Sequence, residues 1–261
     1  MAFTKLLGQT ITKMHLLAIV LLVAIDAFSA YSLRQFPYSL VLAVATCTAA
    51  ELLLSRYYLK HSSLRIPFPA IITGLIIGSV APISSGFLAV IIASVVAVLS
   101  KAFLKVRGVN LFNPAAFGML IGLGIFAIGD VWWASSSLNI GSVVLPVAAL
   151  LVIATYEARR LTAAFSFIVT FILLDLLIYS SFTLAGLEVA ALGTNFFFAL
   201  LMLPDPKTSP HKAAAQGAYG IGIAIAYFLL ASHGIQHSYF IALLIGNLGY
   251  GFYRARGRRL F

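Results

Sequence analysis

The sequence predicts an all-α integral membrane protein of about ten transmembrane helices, arranged as two inverted five-helix repeats. Three observations lead there. Apolar residues make up 62% of the 261 positions and charged residues only 9%, with a mean hydropathy of +1.05, whereas a soluble domain carries about 25% charged residues. The apolar residues fall into runs long enough to cross a bilayer, with the basic residues gathered between them. The third run of each half carries a similar threonine–glycine pair and ends at a proline.

The apolar segments lie near 14–33, 37–54, 68–82, 86–104, 112–129, 140–156, 163–181, 187–203, 218–232 and 238–253. A square crossing takes about 20 residues. The third segment, bounded by Pro67, Pro69 and Pro82, is short, and so is the ninth, with Gly217, Gly220 and Gly222. Short segments are tolerated at membrane depth where protein or water covers their backbone. The first run lacks a convincing cleavage site and reads as a span, not a removable signal.

Charge sets the orientation. With ten spans, every one of the 17 Lys and Arg residues except Arg34 falls on one face. The positive-inside rule makes that face cytoplasmic and places both termini there, in a multi-pass protein of the cell (inner) membrane. The net charge of +10 is therefore a matter of membrane orientation and of binding anionic lipid through Arg254, Arg256, Arg258 and Arg259, not of nucleic acid. Trp132 and Trp133 fall at the outer face and read as an aromatic belt. The single cysteine, Cys47, excludes an intrachain disulfide and a cysteine-held iron–sulfur cluster within one chain.

The halves, 1–130 and 131–261, are similar in an inverted way. The third segment reads T-G-L-I-I-G-S-V-A-P, and the eighth reads L-G-T-N-F-F-F-A-L-L-M-L-P-D-P. Thr73 and Gly74 match Gly193 and Thr194, and Pro82 matches Pro204. Segments running in opposite directions at equivalent places are the signature of an inverted repeat with a site near its axis. Gly74 and Gly78 also form a small-xxx-small step, which serves close helix packing.

Val109–Gly118, V-N-L-F-N-P-A-A-F-G, holds two carboxamides, Asn110 and Asn113, followed by Pro114. Proline suits the first turn of a helix, and Asn113 is placed to cap it. The amides contact a ligand beside Phe117, enter a buried hydrogen-bond network, or form a capped loop without a ligand. Asp205, in L-P-D-P-K-T-S-P, is fixed by flanking prolines to cap the next element, pair with Lys207 or meet a ligand. Asp26 and Asp175 lie within apolar spans, where a carboxylate is costly. Each serves an ion path or bonds to hydroxyls such as Ser29 or Thr170.

These stretches carry a resemblance. Thr73–Pro82, Asn110–Gly118 and Leu203–Pro210, with Ile245–Leu248 in the last span, resemble the NqrB/RnfD family. Its members are multi-pass components of the sodium-pumping NADH:quinone reductase and of Rnf-type electron-transport complexes. The resemblance implies ten helices in two inverted repeats, an architecture similar to urea transporters, and partner subunits of a redox-driven pump for Na+ or H+. It also implies flavin, as riboflavin or flavin mononucleotide held without a covalent bond, with Asn110, Asn113, Phe117, Thr73, Gly74 and Asp205 as candidate contacts. The family's second flavin is linked to a threonine between the fifth and sixth helices. This chain has no threonine there, only Ser135, Ser136 and Ser137, so covalent attachment is not expected. The alternative is a stand-alone ion or small-solute channel of the same fold without redox work.

Overall fold

The computed structural model describes residues 13–58, 66–83, 86–135, 149 and 151–256. Most of the predicted sixth segment and the serines at 136 and 137 lie outside the described residues, as do Lys5, Lys60, Arg65, Arg258 and Arg259. The described chain is mostly helical and forms two compact units. Unit one is Met1–Phe103 with Phe117–Ser137, and unit two is Leu104–Ala116 with Leu138–Phe261.

Unit one holds α1 (Lys13–Leu33), α2 (Tyr38–Leu53, continuing into a π-helical turn, Leu54–Tyr58), α3 (Phe68–Val80) and α4 (Phe87–Phe103). Helix α5 (Pro114–Ile125) begins in unit two and ends in unit one. Small residues set the packing of unit one. A Cβ on Gly74 would lie 2.6 Å from the Val44 Cα, one on Gly78 2.4 Å from the Leu40 Cα, and one on Gly118 2.2 Å from the Ala93 carbonyl oxygen. Backbones at this distance exchange dispersion contacts that lipid cannot supply, and no side chain larger than hydrogen fits. At the end of α2, Glu51 pairs with Lys101 of α4 at 3.5 Å.

The indoles do not form an exposed belt. Trp132 is 9% and Trp133 2% exposed; the Trp133 Nε1–H donates to the Gly78 carbonyl at 2.7 Å, and that of Trp132 donates to the Asp130 carboxylate. A buried indole needs an acceptor for its N–H, and the Gly78 carbonyl is open to serve because Pro82, four residues on, has no N–H to donate.

Unit two begins with a ribbon that the all-helical expectation omits: β1 (Lys105–Val106) pairs antiparallel with β2 (Val109–Asn110). Arg107 and Gly108 form the two-residue turn, with φ of 55° and 78°. A hairpin turn of this kind needs positive φ at both central positions, and Gly108 meets it without steric cost. The helices that follow are α6 (151–157), α7 (Leu161–Ile178), α8 (Leu184–Gly193), α9 (Ala213–Ser232) and α10 (Ser238–Arg256).

The ninth segment is longer than expected. Ala213, Ala214, Ala215 and Gln216 extend it N-terminally into a helix of 20 residues, because strong helix formers outweigh the isolated glycines behind them. The eighth is the broken one. Helix α8 stops at Gly193, Thr194 is extended, and Asn195 restarts the helix by accepting the Phe198 N–H at 3.0 Å, leading into a π-helical turn, Phe198–Met202. Aromatic rings fill the core of unit two: Phe198 lies 5.3 Å from Phe167 and 4.9 Å from Tyr239, and Tyr227 stacks on Tyr239 at 4.1 Å.

Candidate functional site

The polar centre of unit two forms where three stretches meet: Val109–Gly118, Leu203–Pro210 and Ile245–Leu248. Asn113 precedes Pro114, so its side chain faces the free N–H groups of the first turn of α5. Its Oδ1 accepts the Ala116 N–H at 3.1 Å, the capping bond that the sequence predicts. Its Nδ2 donates to the Met202 carbonyl at 3.2 Å, and its backbone N–H donates to Asn247 Oδ1 at 2.8 Å.

Asn247 carries the network on. Its Nδ2 donates to the Thr208 carbonyl at 3.3 Å and to the Tyr219 hydroxyl at 2.6 Å. Asn113 and Asn247 are 3% and 0% exposed, so these bonds replace water at depth, where a lone amide would cost about 1–3 kcal/mol. Thr208 connects to Asp205: its hydroxyl donates to Asp205 Oδ2 at 3.1 Å, and the Lys207 N–H donates to Oδ1 at 3.1 Å. The turn closes with the Ser209 hydroxyl on the Asp205 carbonyl at 2.7 Å. Burial pushes the Asp205 carboxyl above its ordinary range, against the opposing pull of the Lys207 N–H, the Thr208 hydroxyl and the charges of Lys207 and Arg160.

Arg160 braces this turn from the other side. Arg159 adopts φ 57°, which turns the chain between α6 and α7 and brings the Arg160 N–H onto the Thr155 carbonyl at 3.1 Å. The Arg160 side chain is only 3% exposed. Its Nε donates to Ser209 Oγ at 3.0 Å and its Nη2 to the Pro206 carbonyl at 3.3 Å. Nη2 also meets His211 Nδ1 at 2.8 Å. A guanidinium has no acceptor, so Nδ1 must accept and the ring is neutral. Partial burial and the charges of Arg160 and Arg254 hold His211 below its ordinary value in the same sense. Arg254 closes the cluster with long contacts from Nη1 to the Lys207 carbonyl, 3.4 Å, and from Nη2 to the Asn110 carbonyl, 3.5 Å.

The predicted site residues fall in both units. Asn110, Asn113 and Asp205 belong to unit two, and Thr73, Gly74 and Phe117 to unit one. Asn110 joins the cluster through its backbone carbonyl; its half-buried carboxamide makes no hydrogen bond that the structure gives among the described residues. Thr73 bonds its own helix, donating to the Pro69 carbonyl at 2.7 Å. Asp26 takes its hydroxyl from Ser79 at 2.7 Å, not from Ser29, which donates to the Ala134 carbonyl at 2.8 Å. Asp175 takes its hydroxyl from Ser180, one turn beyond it at 2.8 Å, not from Thr170.

Sequence reasoning missed three members. Asn247 was legible as a lone carboxamide in an apolar span, a position costly enough to demand partners. Arg160 reads as a loop charge, and Tyr219 as one aromatic among many. Nothing local in the sequence announces their burial.

Among the described residues, four helices of 19, 21, 18 and 20 residues are long and apolar enough to cross a membrane. Fold and composition together define the class, a mostly helical protein with apolar helices of membrane-spanning length. No protein-family model matches the chain, and no curated protein matches it.

Proposed function

We propose that this chain is an integral membrane subunit of an electron-transport complex similar to the Rnf type and to the sodium-pumping NADH:quinone reductase. In this reading it has ten transmembrane helices in two inverted repeats and both termini in the cytoplasm. It sits in the cell membrane beside partner subunits and supports electron transfer coupled to Na+ or H+ translocation. The observation that carries the reading is the hydrogen-bonded meeting of three of the four stretches that hold the resemblance, through Asn113, Asn247, Thr208 and Asp205. Asn113 and Asn247, 134 positions apart, interlock through buried amides, which supports reading these stretches as one structural unit.

Within that reading a flavin is held without a covalent bond. Asn113 does not suit its ring edge: Oδ1 and Nδ2 are both bonded to the protein and the side chain is buried. Asn110 suits it better, with a half-buried carboxamide able to donate and accept at once. The flavin would supply redox chemistry, and this chain its position and polarity. The alternative, a stand-alone channel or transporter, is favoured by the same closure of Asn113 and by the missing threonine.

Copurification separates the two. A chain that brings partner subunits and a yellow chromophore supports the electron-transport reading, and Asn110→Leu then lowers the flavin-to-protein absorbance ratio while the protein elutes as one sharp peak. A chain that purifies alone, and stays colourless when supplied with excess riboflavin, overturns it in favour of the channel.

A further inference from the structure

Asp26 sits near the middle of α1 and is 1% exposed. Its Oδ1 receives the Ser79 hydroxyl at 2.7 Å, while its Oδ2, also buried, has no hydrogen-bond partner among the described residues. Ser79, 0% exposed, lies at the same 2.7 Å from a second acceptor, the Leu75 carbonyl of its own helix. A hydroxyl has one hydrogen and two lone pairs. It can satisfy only one of these acceptors at a time, yet it stands at hydrogen-bonding distance from both.

That geometry suits two protonation states without moving a heavy atom. With Asp26 ionised, Ser79 turns its hydrogen to Oδ1. With Asp26 protonated on Oδ1, Ser79 turns its hydrogen to Leu75 and accepts the carboxyl proton on its own oxygen. We propose that Asp26 and Ser79 form a proton-binding site, with Asp26 carrying the proton in the resting protein and Ser79 reversing its hydroxyl as the proton leaves and returns.

The surroundings favour the proton over a metal cation. Helix α3, which packs on α1, contains no titratable side chain. The segment that Ser29 touches at Ala134 carries Asp130, whose carboxylate holds the Trp132 indole N–H. The described charged or titratable side chains of α1 beyond Asp26 come down to His15 toward one end, with Arg34 just past the other. No cation among these described groups faces the carboxylate, so the neutral acid avoids an uncompensated buried charge. A hard metal cation needs several oxygen ligands. Among the described side chains, the one oxygen at hydrogen-bonding distance from the Asp26 carboxyl is that of Ser79. Use of this proton in translocation rests on the function proposed above; its presence on Asp26 does not.

Infrared spectroscopy of the protein in lipid reads that presence directly. At neutral pH the wild type should show a protonated-carboxyl C=O band that shifts in D2O and is absent from Asp26→Asn. Ser79→Ala should displace the band, and Ser79→Thr should restore it. High sodium chloride should leave it in place. A carboxylate band in its stead, or loss of the C=O band on adding sodium, overturns the site. Should Asp26→Asn fail to fold, the wild-type sodium series and the Ser79 pair decide the matter alone, and neither depends on the chain being part of a redox complex.

Discussion

The backbone N–H of Asn113 donates to the side-chain oxygen of Asn247 at 2.8 Å, across 134 positions of sequence. This bond ties the entrance of α5 to the last helix, and the Asn247 amide then reaches Thr208 and Tyr219. One side chain thus serves three partners, each with a buried polar atom that would otherwise be stranded.

Asn247→Leu should therefore destabilise strongly. It strands the Asn113 N–H, the Thr208 carbonyl and the Tyr219 hydroxyl together, at about 1–3 kcal/mol for an unsatisfied buried group. Tyr219→Phe removes one bond and should cost about 1 kcal/mol. Thermal unfolding in detergent should rank Asn247→Leu well below Tyr219→Phe and wild type. Equal midpoints for all three would mean that the network does not hold unit two together.

Two glycines of α5 make a matched test of packing. A Cβ on Gly118 would lie 2.2 Å from the Ala93 carbonyl oxygen, whereas one on Gly124 meets nothing within 4 Å. Gly118→Ala should cost about 1–3 kcal/mol through overpacking, and Gly124→Ala should be neutral or stabilising by up to about 1 kcal/mol through helix propensity. Thermal midpoints of opposite sign relative to wild type are the expected outcome.

His211 gives a pH dependence with a definite sign. Its folded value is held below the ordinary 6.5, so the unfolded chain takes up the proton first. The stability that its neutral form contributes is complete above 6.5 and is lost as the pH falls below it through the folded value. His211→Gln keeps an acceptor for Arg160 but cannot titrate. Its melting temperature should vary less than wild type over that acid range. Asp205→Asn should act the other way: the folded carboxyl is raised, so ionisation at neutral pH opposes folding and its removal should not lower the midpoint there.

The proposed orientation can be read across one helix. Lys207 and His233 are exposed and flank α9, a 20-residue span candidate, and Cys47 is fully buried. On a Cys47→Ala background, Lys207→Cys should react with an impermeant thiol reagent from the cytoplasmic side and His233→Cys from the outside. Reaction of both from one side would overturn the ten-span topology.

Much of the helix pattern was legible because hydrophobic run length and proline placement act locally. The runs at 14–33 and 37–54 mark α1 and α2 within one residue, and Asn113 before Pro114 announces its own cap. The ninth segment reads as short from its glycines and is a 20-residue helix, because glycine counts do not weigh the residues that surround them, and the break at Gly193–Asn195 has no counterpart in the sequence reading. Trp132 and Trp133 read as interfacial for a different reason: an indole's preference for a wet boundary is local, and it yields once an acceptor such as the Gly78 carbonyl is within reach.

What the sequence determined by itself was the solvent and the elements: 62% apolar residues in long runs leave the backbone no stable partner but its own helix. What only the tertiary structure decided was partnership. That Leu104–Ala116 folds with the second half of the chain, that Arg160 is buried beneath the Asp205 turn, and that Asp26 answers to Ser79 depend on which polar groups meet after the helices pack. Those meetings are long-range. Each buried donor or acceptor must find a partner or incur its desolvation cost, and that requirement is settled in space, between residues that carry no trace of one another along the chain.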